Sequence, residues 1–182
     1  MTTFIAQYES TLAPATCAQI IERFDADPRK AAGAVIGIGT PKRSTDLGVA
    51  RLSGWEDLAS TLTHAIVSSA MRYRDEHPAF RRLHRDIRHT GFQIQCYRPG
   101  SGDAFDWHAD IVNAETAHRI LAMVLYLNTV EVGGETEFRA QQLAVKPRVG
   151  TAIWFPPSFA YLHAGRAPVS GPKYVITTFW VG

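Results

Sequence analysis

Gly91-Phe92-Gln93-Ile94-Gln95-Cys96-Tyr97-Arg98-Pro99-Gly100 is where the chain changes character. Phe92 to Tyr97 reads as a strand, and Pro99-Gly100 closes it with a turn. The same alternation of short apolar runs and breakers continues downstream. Ile120 to Asn128, Gln142 to Lys146, Thr151 to Phe155 and Tyr174 to Val181 read as further strands. Gly133-Gly134, Pro147, Pro156-Pro157 and Gly171-Pro172 punctuate them. Many short strands with regular turn signals imply a sandwich or a barrel.

Upstream the period is helical. Phe4 to Glu9 reads as a short strand, after which Pro14 can occupy a first helical turn and place Cys17, Ile20, Ile21 and Phe24 on one face. Asp27-Pro28 ends that helix. Ala31 to Gly54 is glycine-rich and loop-like, with a short strand near Val35 to Ile38. From Trp55 a second helix carries Leu58, Leu62, Ile66 and Ala70 in one stripe, which reads as core packing. The expected fold is therefore mainly β with flanking α-helices around a double-stranded β-helix, a cupin-like jelly roll with a site in its mouth. Residues 1–182 form one domain in this reading, with 1–90 giving helical support and lid segments and 91–182 giving the β-helix core.

Composition narrows the class. The formal charge of +2 implies no general attraction to nucleic acid or to a membrane surface. Arg72, Arg74, Arg81, Arg82, Arg85 and Arg88 read as a solvated helix face or loop. No apolar stretch is long enough to span a bilayer, and Met1 to Glu9 lacks the basic start and apolar run of a signal peptide. Cys17 and Cys96 are expected to be buried thiols in a reducing cytoplasm rather than a disulfide.

The chemistry lies in His108-Ala109-Asp110. On a strand, residues two apart share a face, so a His-x-Asp pair can offer one imidazole and one carboxylate to the same point. His163, from a distant strand, can complete a set of two histidines and one carboxylate. That set leaves half of an octahedral metal open, as in non-haem Fe(II) oxygenases. His64, His77, His84, His89 and His118 have no ligand spacing.

Around this triplet run Tyr97-Arg98-Pro99-Gly100, Phe105, Tyr126-Leu127-Asn128, Gly133-Gly134-Glu135-Thr136 and then His163-Ala164-Gly165 through Lys173-Tyr174. In this order and spacing the chain resembles the prolyl 4-hydroxylase-like branch of the Fe(II)/2-oxoglutarate-dependent dioxygenases, over about residues 90–182. The resemblance implies Fe(II) on His108, Asp110 and His163, 2-oxoglutarate and dioxygen as cosubstrates, and ascorbate as a reductant. It implies that Lys173 pairs with the distal carboxylate of 2-oxoglutarate, with Tyr126, Thr136 and Tyr97 in the same pocket. Two departures touch the substrate side: Phe105 stands where relatives often carry tyrosine, and Phe179 where many carry tryptophan, with Trp180 following. On a strand Lys173 and Phe179 share a face and Trp180 points away.

The implied activity is hydroxylation of a C–H bond in a prolyl or other amino-acid moiety, in a peptide or a small molecule. The polar ends of that substrate are assigned to Arg43 or Arg98. Other readings are an oxygenase of another small metabolite and a metal-holding β-barrel without turnover. Lys173 separates the last, because a bare metal site needs no cation placed for a dicarboxylate. A nucleic-acid demethylase is disfavoured by the near-neutral charge.

Overall fold

The computed structural model describes residues 3–33, 41–83 and 87–182. Its strands are β1 (Ala6–Tyr8), β2 (Ala31–Ala32), β3 (Lys42–Arg43), β4 (Thr45–Gly48), β5 (Arg88–His89), β6 (Gln93–Tyr97), β7 (Ala104–His108), β8 (Arg119–Tyr126), β9 (Thr136–Phe138), β10 (Leu143–Val145), β11 (Ala152–Phe155), β12 (His163–Gly165) and β13 (Lys173–Val181). The helices are α1 (Pro14–Ala26), α2 (Glu56–Glu76) and α3 (Pro78–Leu83).

The strands form two antiparallel sheets. The major one runs β1-β11-β8-β13-β6-β4-β2, with β5 also on β13, and the minor one runs β10-β9-β12-β7-β3. This is the two-sheet sandwich of a jelly roll, as the strand and turn pattern implied.

Both long helices lie on the outer face of the major sheet. Cys17, Ile20 and Phe24 of α1 and Leu58, Leu62, Ile66 and Ala70 of α2 are buried there against Ile94, Cys96, Leu121, Leu125, Trp154, Ile176 and Trp180. A separate, smaller apolar cluster lies between the sheets, around Tyr97, Ala122, Tyr126, Phe138, Ile153, Phe155 and Val175. Alternation along β13 divides the two: Ile176 and Trp180 join the helices, whereas Lys173, Val175, Thr177 and Phe179 face the minor sheet. A register shift occurs at Trp180/Val181, after Phe179 has already turned inward, so Trp180 points outward as expected. Cys17 and Cys96 are free and buried.

The first half of the chain contributes more sheet than its composition suggests. The stretch from Ala31 to Gly54, expected to be loop, supplies β2 and β4 to the major sheet and β3 to the minor one. These strands are two to four residues long and too short to show a period; pairing of β4 with β6, of β3 with β7 and of β2 with β4 creates them. The strand expected near Val35 to Ile38 lies outside the described residues. β7 and β12, where the reading of the two histidines places strands, form with β9 the centre of the minor sheet; β9 gives no strand signal of its own. Arg72, Arg81 and Arg82 are solvent-facing helix residues, with Arg72 paired to Glu76 and Arg81 to Asp75; Arg85 lies outside the described residues. No helix among the described residues is long and apolar enough to cross a membrane.

Candidate metal centre and its cavity

Between the sheets lies a cavity of about 510 Å³. The minor sheet brings His108, at the end of β7, directly opposite His163, at the start of β12. The rings sit 4.1 Å apart at their centres. Asp110 does not share a strand with His108, as the His-x-Asp spacing had suggested. It lies in the bend after β7, where its backbone N–H donates to the carbonyl of Pro157 at 3.1 Å. The outcome is nevertheless convergent: His108 Nε2 is 3.8 Å from Asp110 Oδ1, and His163 Nε2 is 3.7 Å from Asp110 Oδ2. One ligand atom from each residue falls within 4.8 Å of the others, which makes this the one such three-residue group among the described residues.

Each histidine is aimed by the same device. His108 Nδ1 lies 2.7 Å from the carbonyl of Asp106, and His163 Nδ1 lies 3.0 Å from the carbonyl of Tyr161. A carbonyl can only accept, so Nδ1 carries the proton and Nε2 presents a lone pair to the shared point. Burial holds both imidazoles neutral, with pKa values lowered to about 4. Burial also raises Asp110 to about 6, against the pull of His108 and Arg119. Asp110 Oδ2 is buried without a hydrogen-bond partner. Two neutral imidazole nitrogens and an orphaned carboxylate oxygen are a donor set that a divalent cation satisfies, and they fit Fe(II). Phe105 stacks on the His108 ring at 3.5 Å between centroids and only 12° from parallel, walling the site on that side.

Lys173 stands at one end of the cavity. It is 2% exposed, and among the described residues no carboxylate pairs with it. Its Nζ donates to the carbonyls of Gly134 at 3.2 Å and Arg166 at 3.4 Å, and sits 4.5 Å above the Tyr97 ring. Burial lowers its pKa to about 8, offset by the charge of Glu135. An uncompensated buried ammonium facing a cavity is a receptor for an anion. Gly133 and Gly134 adopt φ of +75° and +79°, and this turn brings the Gly134 carbonyl to Lys173.

The neighbouring residues sort differently from expectation. Thr136 lines the cavity, but Tyr126 lies behind it and donates its hydroxyl to Thr136 at 2.7 Å. Tyr126 therefore reaches a ligand only through Thr136. Tyr97 lines the cavity and donates to Gln95 Oε1 at 2.8 Å. Phe105 and Phe179 both line it, as expected of the substrate side. Arg43 and Arg98 do not: both are exposed, Arg43 on β3 pointing away and Arg98 in the turn after β6. Besides Lys173, Thr136, Tyr97 and the three ligands, the polar groups that line the cavity are Lys42, Gln93, Gln95, Thr177 and Arg119. Lys42, next to Arg43, is paired in the interior with Asp46 at 2.5 Å. Only the register of β3, β6, β8 and β13 reveals these, and no local motif announces them.

The family model described as the 2OG-Fe(II) oxygenase superfamily matches residues 92–181, the stretch that holds all three ligands and Lys173. Residues 92–181 belong to the 2OG-Fe(II) oxygenase superfamily. Within this superfamily the chain is similar to prolyl 4-hydroxylase 2 of Arabidopsis thaliana, at 29% identity over 126 residues, covering 50% of this chain and 42% of that protein. The chain thus spans less than half the length of the curated relative it matches. The fold is that of a Pseudomonas putida prolyl-4-hydroxylase, with a TM-score of 0.74 at 18% identity, covering 100% of this chain and 94% of the other. It is also that of a prolyl hydroxylase from Trichoplax adhaerens in complex with a hypoxia inducible factor oxygen degradation domain peptide fragment. There the TM-score is 0.80 at 17% identity, covering 99% and 84% of the two chains.

Proposed function

We propose that this chain is an Fe(II)/2-oxoglutarate-dependent dioxygenase, acting as one domain over residues 1–182, that hydroxylates a C–H bond of a prolyl or other amino-acid moiety. The observation that carries this reading is the pairing of His108, Asp110 and His163 with a buried, unpaired Lys173 in one cavity. A metal-holding barrel without turnover would have no use for that ammonium. Bound there, iron and the keto acid supply the oxidising chemistry: dioxygen is consumed, 2-oxoglutarate becomes succinate and carbon dioxide, and C–H becomes C–OH.

The protein's part is binding and orientation. His108 and His163 offer Nε2, Asp110 offers its carboxylate, and the carbonyls of Asp106 and Tyr161 keep the rings from turning. Lys173 and Thr136 take the far carboxylate of 2-oxoglutarate, and Tyr126 holds Thr136 in place. Val175, Val124, Ala122 and Phe179 give the remaining wall an apolar surface that excludes water from the reacting carbon.

An anaerobic titration tests this directly. Fe(II) with 2-oxoglutarate should give the visible absorption of a chelated keto acid, and air with a panel of amino acids and peptides should raise succinate release. His108→Ala combined with Asp110→Ala should abolish stoichiometric Fe(II) binding and turnover. Retention of both by the double variant would remove these residues from the site.

A further inference from the structure

The floor of the cavity carries a chain of hydrogen bonds that ends in unused donors. Along β6, Gln93, Gln95 and Tyr97 alternate onto the inner face, and all three line the cavity. Tyr97 donates its hydroxyl to Gln95 Oε1 at 2.8 Å. Gln95 Nε2 in turn donates to Gln93 Oε1 at 3.0 Å and to Thr177 Oγ1 at 3.3 Å. A primary amide has two N–H hydrogens, so both of those on Gln95 are taken. Gln93 then keeps its oxygen toward Gln95 and turns its own NH2 outward, and among the described residues that NH2 donates to nothing.

Two further features leave that NH2 open to a ligand. Gly48 stands opposite Gln93 on β4 and has no side chain to cover it; a Cβ there would meet nothing within 4 Å. The level along the sheet is also beyond the cosubstrate. Gln93 pairs with Thr177, four residues on from Lys173, which is roughly 13 Å of strand at about 3.3 Å each. A five-carbon diacid anchored on Lys173 is shorter than that, so Gln93 faces what lies past it. The next inward residue of β13 is Phe179, the aromatic wall on the substrate side.

We propose that Gln93 is a specificity residue: its side-chain amide, turned donor-outward by Gln95 and Tyr97, donates to a carbonyl beside the reacting carbon of the prime substrate. This rests on reading the cavity as that of a 2-oxoglutarate oxygenase. Gln95 and Tyr97 are positioning residues, since neither has a hydrogen left to give. Thr177 accepts from Gln95 and keeps its own O–H, a second donor at the same level. A carbonyl satisfies such a floor, whereas an ammonium, which can only donate, does not.

The test is calorimetric binding to the anaerobic protein loaded with Fe(II) and 2-oxoglutarate, so that no turnover intrudes. The probes are peptides blocked at both ends, each with proline or another aliphatic residue at its centre. The tightest binder is then remade with one carbonyl flanking that residue exchanged for C=S, a poorer acceptor of nearly the same shape. One such exchange should weaken binding about three- to tenfold, the loss of a neutral hydrogen bond. Gln93→Met keeps the length of the side chain and removes its N–H groups. It should weaken the parent peptide by a similar factor and bind the two forms alike, with 2-oxoglutarate affinity unchanged. Gln93→Glu, which can only accept, should bind the parent more weakly still. Gln95→Leu, which lets the Gln93 amide turn, should shrink the preference for the carbonyl. If Gln93 only filled space, its replacement would weaken both forms alike and leave that preference intact. That result overturns the proposal, as does full binding by Gln93→Glu, an undiminished preference in Gln95→Leu, indifference of the unaltered protein to every exchange, or no binding by any peptide. Failure to bind Fe(II) and 2-oxoglutarate in the first place would overturn the oxygenase reading instead, and is seen before any peptide is added.

Discussion

Lys173 has the unusual task of staying charged while almost wholly buried. Among the described residues two carbonyls, a ring face and the more distant charge of Glu135 stabilise the ammonium, so its affinity for a dicarboxylate should be large and conditional. Lys173→Ala is expected to weaken 2-oxoglutarate about ten- to hundredfold, with Fe(II) binding retained. The pH dependence has a definite sign. The protonated form binds the anion, and burial lowers the pKa to about 8. Affinity is thus full below about pH 8 and falls above it, by about tenfold per unit, until the pKa of the complex is reached. Lys173→Arg, whose guanidinium stays charged, should flatten that profile even if its geometry costs affinity. A profile for the unaltered protein that is flat from pH 7 to 9.5 would contradict this account. At this scale the sequence was readable where a residue announces itself locally: His108, Asp110, His163 and Lys173 sit at recognisable spacings. Arg119 and Lys42 do not. Whether an arginine at the start of a strand faces a cavity or solvent depends on pairing partners far along the chain, and Arg43, assigned to the substrate's polar end, is exposed whereas Lys42 beside it lines the cavity.

The turn between β8 and β9 shows how an element tunes the site without touching a ligand. Gly133 has φ of +75°, and a Cβ there would meet the Ala167 carbonyl at 2.6 Å. Gly133→Ala should cost roughly 1–3 kcal/mol in backbone strain and contact. Because the next carbonyl, that of Gly134, accepts from Lys173, 2-oxoglutarate affinity should fall with it. Thermal unfolding and a 2-oxoglutarate titration on the same sample check both effects; unchanged affinity in a destabilised variant would uncouple the turn from the site. Glycine pairs advertise such turns, which is why this one was legible. β9 was not, since its three residues carry too few alternations to reveal a face, and β7 and β12 were placed only through their histidines.

Across the whole molecule, the major sheet separates support from chemistry. Its outer face packs on α1 and α2, its inner face lines the cavity, and few side chains serve both. Leu62→Ala, at a fully buried position on α2, should destabilise the protein by about 2–5 kcal/mol in urea unfolding while leaving 2-oxoglutarate affinity of the folded protein unchanged. A parallel loss of affinity would show that the helices shape the cavity through the sheet. The two-sheet architecture and its helical cover could be inferred from the pattern of breakers and stripes, whereas the share of the first half in both sheets could not, because β2, β3 and β4 exist only by pairing. One consequence concerns the speed of loading. Both imidazoles are already pinned at Nδ1 and aimed at one point, so an incoming ion meets a finished clamp rather than a hinge that must close. The slow event is then the ion shedding its own water. Ni(II), which exchanges water more slowly than Co(II), should load more slowly in stopped-flow mixing; one shared slow rate for both would mean that the chain itself must open first.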